Sequence, residues 1–168
     1  MSTTDTTTTR LPQPEEITER ERDDAMGAYL MMFASLAIGL PIPLLNLIAS
    51  VIYFFVNRKT SHFVAFHALQ ALLTHIPVVL LNAGVVAWII VNIAMKNVAP
   101  VFFWYLIFTI LVNLTWIVWS IVALVHANKG RFIYMPVFGR LCFSIYYGPH
   151  ARKPRSARVW ENRPPEGY

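Results

Sequence analysis

Residues 26–56, MGAYLMMFASLAIGLPIPLLNLIASVIYFFV, carry no charge in 31 positions, and Pro41 and Pro43 divide them near the middle. Proline removes a backbone donor, clashes with the preceding turn and pushes the residue before it out of helical space. One straight helix through this stretch is therefore disfavoured. Each half, 26–40 and 44–56, rises only about 20 Å as a helix, short of the roughly 30 Å hydrocarbon core of a bilayer. Two short tilted helices meeting at a turn over Pro41 and Pro43, or a re-entrant hairpin, fit the stretch. Neighbouring helices must then cover the backbone groups that the turn frees.

Outward from this segment the pattern repeats with longer units. A polar break, Asn57-Arg58-Lys59-Thr60-Ser61, leads into His62 to Met95, which is about 50 Å long as a helix and carries Pro77 as a kink site. After Lys96-Asn97-Val98-Ala99-Pro100 comes Val101 to Ala127, free of charge and of full spanning length, with Trp104 and Tyr105 near one end as an interfacial belt suits. Asn128-Lys129-Gly130 ends it, since glycine supplies the left-handed position after a helix. Pro136 opens a short amphipathic piece in which Val137, Phe138, Leu141, Cys142, Ile145 and Tyr146 recur at helical spacing while Arg140 faces elsewhere. Such a piece lies in the membrane interface. The predicted fold is an all-α integral membrane protein with four hydrophobic helical segments, the first two short and joined by the proline turn, plus this C-terminal interfacial helix.

Composition agrees. The 168 residues are 56% hydrophobic and 14% charged, against roughly 45–50% and 25% in a soluble domain. Residues 1–25 form a polar, acidic N-terminal tail with a Thr-rich start, 26–146 the helical membrane domain, and 147–168 a basic flexible tail. No basic start with an early apolar core is present, so the first apolar segment is expected to stay uncleaved. The net charge of +5 sits in the tails rather than on a helix, which argues against nucleic acid. Cys142 is the lone cysteine, so the chain builds no intramolecular disulfide or CxxC pair.

Basic residues flanking spans favour the cytoplasm, and they decide between the two readings of residues 26–56. A single crossing puts ten basic residues on one side and four on the other. A hairpin gathers Arg10, Arg20, Arg22, Arg58, Lys59 and the eight basic residues from Lys129 onward on one side, leaving Lys96 opposite, thirteen against one. The hairpin is favoured, with both termini cytoplasmic in a multi-pass protein of a bacterial inner membrane.

The runs Pro43-Leu44-Leu45-Asn46-Leu47-Ile48, Asn57-Arg58-Lys59-Thr60-Ser61, Phe63-Val64-Ala65-Phe66-His67-Ala68-Leu69-Gln70-Ala71-Leu72 and Ala127-Asn128-Lys129-Gly130-Arg131-Phe132-Ile133-Tyr134-Met135-Pro136 together resemble the Tic20-like group of small bacterial membrane proteins, DUF 4870, over residues 26–145. The group is similar to a subunit of the chloroplast inner-envelope import translocon. The resemblance implies a four-segment helical fold with both ends on one side. Tyr29 stands where many members have His, and Ala49 where many have Pro.

Chemistry-bearing residues are few. His67, Gln70, Thr74 and His75 share one side of their helix, eight residues being slightly over two turns, and polar groups at membrane depth face other helices or water. His67, Gln70, His75 and Asn113 are read as interhelical hydrogen-bonding residues. His67 and His126 fall at similar depth, the arrangement a bis-His haem needs, but the simpler expectation is no cofactor and no metal. No Asp, Glu, Lys or Arg lies within a predicted span, and ion-coupled transport normally needs one. No nucleophile with a base and orienting group can be assembled, so no enzyme is expected. In the C-terminal tail Arg152, Lys153, Arg155 and Arg158 are candidates for lipid or partner contact, and Trp160 is the expected apolar anchor, with the tail ordered only in a complex. The expected function is a non-catalytic accessory or assembly subunit of a larger membrane complex, linked by the resemblance to protein translocation. The alternatives are a small homo-oligomeric channel lined by His75, Asn82 and Asn113, and a bis-His cofactor carrier.

Overall fold

A computed structural model of the chain describes residues 11–33, 43–148 and 162–166, and all regular structure among them is helical. A 3-10 turn at Pro14–Glu16 precedes α1, Glu19–Leu30, and a second 3-10 turn, Met31–Phe33, follows it. Then come α2, Pro43–Asn57, α3, His62–Met95, α4, Pro100–Asn128, and α5, Phe138–Tyr146. The helix ends obey local chemistry. Thr18 caps α1 by accepting from Glu21 N, while the Glu21 carboxylate accepts from Thr18 N at 2.9 Å and Thr18 Oγ1 at 2.8 Å. Ser61 caps α3 through Val64 N, Pro100 occupies the first turn of α4, and Gly130 takes φ +68 after α4 as the cap motif requires.

Two helices, α3 and α4, are long and apolar enough to cross a membrane, and α2 contributes a shorter apolar helix. The expected turn over Pro41 and Pro43 falls largely outside the described residues, Pro43 being where α2 begins. Two expectations are corrected. The N-terminal region is not a solvated tail as far as residue 25: Leu11 and Ile17 are buried in the common core and α1 packs on both α3 and α4, because its Ala25, Ala28 and Tyr29 form an inward face. The C-terminal amphipathic helix begins at Phe138 rather than Pro136, because Val137 has φ +69, outside the helical region.

The packing is uneven along the long helices. On α3, Phe63 to Ala68 are all buried, and the last buried residue is Val79; beyond it Leu80, Val86, Ile89, Ile90, Ile93 and Met95 are exposed. Alongside the first half of α3 lie α1, α2 and α5. Phe33 reaches Trp116 of α4 and Met32 Sδ lies 3.8 Å from Ser120 Oγ, which puts the inner end of the α1 segment about midway along α4. The molecule is thus a packed basal half and a distal half made, among the described residues, of α3 and α4.

Candidate functional site

The basal half holds a buried polar node. Gln70, fully buried on α3, donates from Nε2 to Tyr29 Oη and to the Ile133 carbonyl, both at 3.0 Å, and its Oε1 accepts from Met135 N at 3.2 Å. Tyr29 Oη lies 3.0 Å from His67 Nδ1. Since the phenol already accepts from Gln70, its own proton goes to His67 Nδ1, which assigns the ring proton to Nε2. One glutamine thereby ties α1, α3 and the chain between α4 and α5 together, with every polar atom of its amide used. The Gln70 amide is thereby fully satisfied, which is favourable where a half-satisfied amide is costly.

The His67 ring is enclosed by aromatic faces. Its centroid lies 4.6 Å from Phe63, 5.1 Å from Phe66 and 5.9 Å from Phe132, the last nearly parallel. His126 turns its Nδ1 to the Val122 carbonyl at 2.8 Å. His67 Nδ1 is engaged by Tyr29 and Phe132 covers one ring face.

A second node joins the chain's two ends. Asn162 is 3% exposed, 149 residues from Gln13. Its Oδ1 accepts from Phe132 N, its Nδ2 donates to the Pro12 and Gly130 carbonyls, and its backbone exchanges two bonds with the Gln13 amide. Tyr134 Oη donates to the Arg163 carbonyl. Residues 162–166 therefore dock on this same chain, which corrects the expectation that the C-terminal tail orders only in a complex. Arg152, Lys153, Arg155, Arg158 and Trp160 lie outside the described residues.

The other sequence-derived polar residues do not join these nodes. His75 packs its ring on Trp116 at 5.0 Å. Asn82 and Asn113 face each other across α3 and α4 and exchange bonds of 3.1 and 3.3 Å, each also donating to its own helix, at Val78 and Thr109 carbonyls. That mutual pairing uses the groups a channel lining would have to present.

Two tyrosine contacts were invisible to pattern reading. Tyr53 Oη donates to the Asp24 carbonyl at 2.8 Å, and Tyr105 Oη to the Leu81 carbonyl at 2.9 Å. Each sits against a glycine three residues beyond the accepting carbonyl: a Cβ on Gly27 or Gly84 would stand 2.3 Å from the phenol oxygen. The lone glycines were the available signal, since a glycine inside a helix often marks close approach.

Outside the spans, titration is simple. Burial works against the Glu21 carboxylate, but hydrogen bonds from the Thr18 backbone, the Thr18 hydroxyl and Ser61 outweigh it and hold its pKa below the ordinary value. Burial pushes the Cys142 thiol up to about 12, and it raises Tyr147. Among the described residues no three His, Cys, Asp or Glu side chains are grouped to hold a metal ion.

Comparison with known proteins settles the family. Residues 22–142 match the model of the magnetosome magnetite crystal formation protein family, MamF/MmsF. No curated protein and no solved structure matches the chain. The match corrects the Tic20-like, DUF 4870 assignment: those four runs are five to ten residues each, whereas the family model covers residues 22–142 as one pattern. The inferred link to protein translocation falls with that assignment.

Proposed function

Because this chain belongs to the magnetosome magnetite crystal formation protein family, we propose that it is a non-catalytic accessory protein of the magnetosome membrane that supports crystal formation through partner proteins and lipid. It is a membrane protein, with α3 and α4 as its spanning candidates. The proposed topology places both termini in the cytoplasm, with residues 26–56 turning back at Pro41 to Pro43, within the bilayer or at its far side, rather than crossing once. The thirteen-to-one distribution of basic residues supports it, as does the direct contact between Gln13 and Asn162.

The observation that carries the accessory reading is the size of the opposite surface. Among the described residues it consists of the turn from Lys96 to Ala99, with Lys96 in the left-handed region and Asn97 exposed. A turn this small organises little mineral surface alone. The larger polar surface, including Glu15, Glu16, Glu19 and Asp23, lies at the basal end with the termini. Work at that end means work on proteins or membrane.

The test is genetic and biochemical. Deleting the gene in a magnetite-forming cell should alter crystal size or shape in electron micrographs, and the tagged chain should recover other magnetosome membrane proteins under mild detergent. Normal crystals after deletion would overturn the role. Altered crystals with a chain that purifies strictly alone would overturn the partner mechanism.

A further inference from the structure

Five helices share the basal half, and among the described residues only α3 and α4 continue beyond it. The change falls at one level. The α1 segment ends with Phe33 on Trp116. The helix α2 is joined to α3 by residues 58–61 and rises about 22 Å, which carries it back along α3 to about its middle. The chain after Gly130 passes Gln70 at Ile133 and Met135 and reaches Pro136 and Phe138, which border the same cleft as Thr74 and Val78. From there α5 returns to the basal end, where Tyr146 and Tyr147 meet the His62 ring. Val79, the last buried residue of α3, stands near the middle of its 34 residues.

That level lies near the midplane of the membrane. From His62 to Met95 the helix α3 rises about 50 Å, against about 40–45 Å for a bilayer with its headgroups, and the usual tilt of about 20° takes up part of the excess. Basic residues stand at both ends, Arg58, Lys59 and Lys129 basally and Lys96 distally. The shorter basal helices carry lipid-facing chemistry of their own. Leu44, Ile48, Ile52 and Phe55 recur at helical spacing on α2 and are exposed, as are Leu141 and Ile145 on α5. Arg140, exposed on α5, is compatible with that depth because a long cationic stem keeps its head among the headgroups.

One leaflet therefore accommodates five helices and the other two, each about 10 Å across. Protein inserted into a single leaflet spreads that leaflet relative to its partner, and the mismatch relaxes when the bilayer bends away from the crowded side. Helices that enter one leaflet are curvature-sensitive for this reason. We propose that the chain is a curvature-sorting element, whose wedge shape draws it to membrane that is convex on the side of its basal end. The sorting rests on the chain's place in a bilayer and not on its role in crystal formation.

A membrane tube drawn from giant vesicles of phosphatidylcholine and phosphatidylglycerol, holding the full chain in both orientations, tests it. Thr60→Cys and Asn97→Cys place single reporters at exposed positions of the basal and distal ends. Cys142 is buried and stays unlabelled. An impermeant maleimide dye added outside then marks, in the first variant, molecules with the basal end outward and, in the second, molecules with it inward. The tube is convex outside. Relative to the parent vesicle, the Thr60 label should be enriched in the tube and the Asn97 label depleted, and the two ratios should diverge as the tube is narrowed. Lys59→Cys and Val98→Cys, also exposed, serve at the same ends if circular dichroism shows that either variant has lost its helices. Equal sorting of the two labels, or enrichment of the distal one, overturns the proposal.

Discussion

The two halves of α3 have different surroundings. From Phe63 to Val79 the helix is wrapped by other segments, and Gln70 ties it to α1 and to the chain before α5; from Leu80 to Met95 most of its large apolar side chains are exposed, and Asn82 meets Asn113 on α4. Hydrophobic burial drives packing only where water is the alternative. Between helices in lipid, association rests on close packing and a few hydrogen bonds. Stability should therefore be concentrated at the basal end, and the distal pair should tolerate substitution.

Gln70→Ala is the sharpest challenge to that comparison. It strands Met135 N, the Ile133 carbonyl and the Tyr29 phenol, and a buried group left unpaired costs about 1–3 kcal/mol. Thermal unfolding in detergent should show the largest loss of the set, and Gln70→Glu should fail to rescue, since a carboxylate cannot donate to Tyr29 and Ile133 together. A smaller effect separates the matched glycines. Gly27→Ala and Gly84→Ala each displace a tyrosine from a helix carbonyl by the same geometry, with losses of about 1 kcal/mol expected for the hydrogen bond. The basal variant should cost more, because Tyr53 and α1 belong to a cooperative core; equal losses would break the distinction between halves. Asn82→Leu should cost only about 0.6 kcal/mol, the average for polar pairs inside membranes, measured by the same unfolding. The weakest effect concerns Glu21. Its folded pKa is depressed, so its contribution is present above the unfolded carboxylate value and is lost as pH falls through the folded one. Helicity of α1, followed by hydrogen exchange, should loosen below the ordinary carboxylate range, and Glu21→Gln should flatten that dependence.

How far the sequence foretold these halves depends on the kind of signal each feature leaves. The long helices, the cap at Gly130 and the short helix α5 follow from local periodicity and turn chemistry, and they were legible. His67 and Gln70 stand out locally as a polar pair in an apolar run. Their partners do not. Tyr29 is 38 residues from His67 and 41 from Gln70, and nothing local marks a phenol as the link between them. Asn162 was hidden still more deeply, in a Pro- and Arg-rich stretch whose composition resembles disordered segments; its four partners come from residues 12, 13, 130 and 132. The family itself was misread because short runs shared by polytopic proteins carry less information than one continuous pattern.

The lone cysteine has a practical consequence. With its pKa raised to about 12 and no exposed surface, the Cys142 thiol stays protonated and shielded at neutral pH, so the natural chain behaves toward maleimides as a cysteine-free background while folded. Cysteines introduced singly at Lys96 or Thr60 can report sidedness without first removing it. Conversely, any labelling of Cys142 records α5 lifting from its seat over Tyr134, where Gly139 permits contact that a Cβ, 2.6 Å from the Tyr134 Cα, would forbid. The rate of that reaction is a clock for α5, readable in the intact membrane.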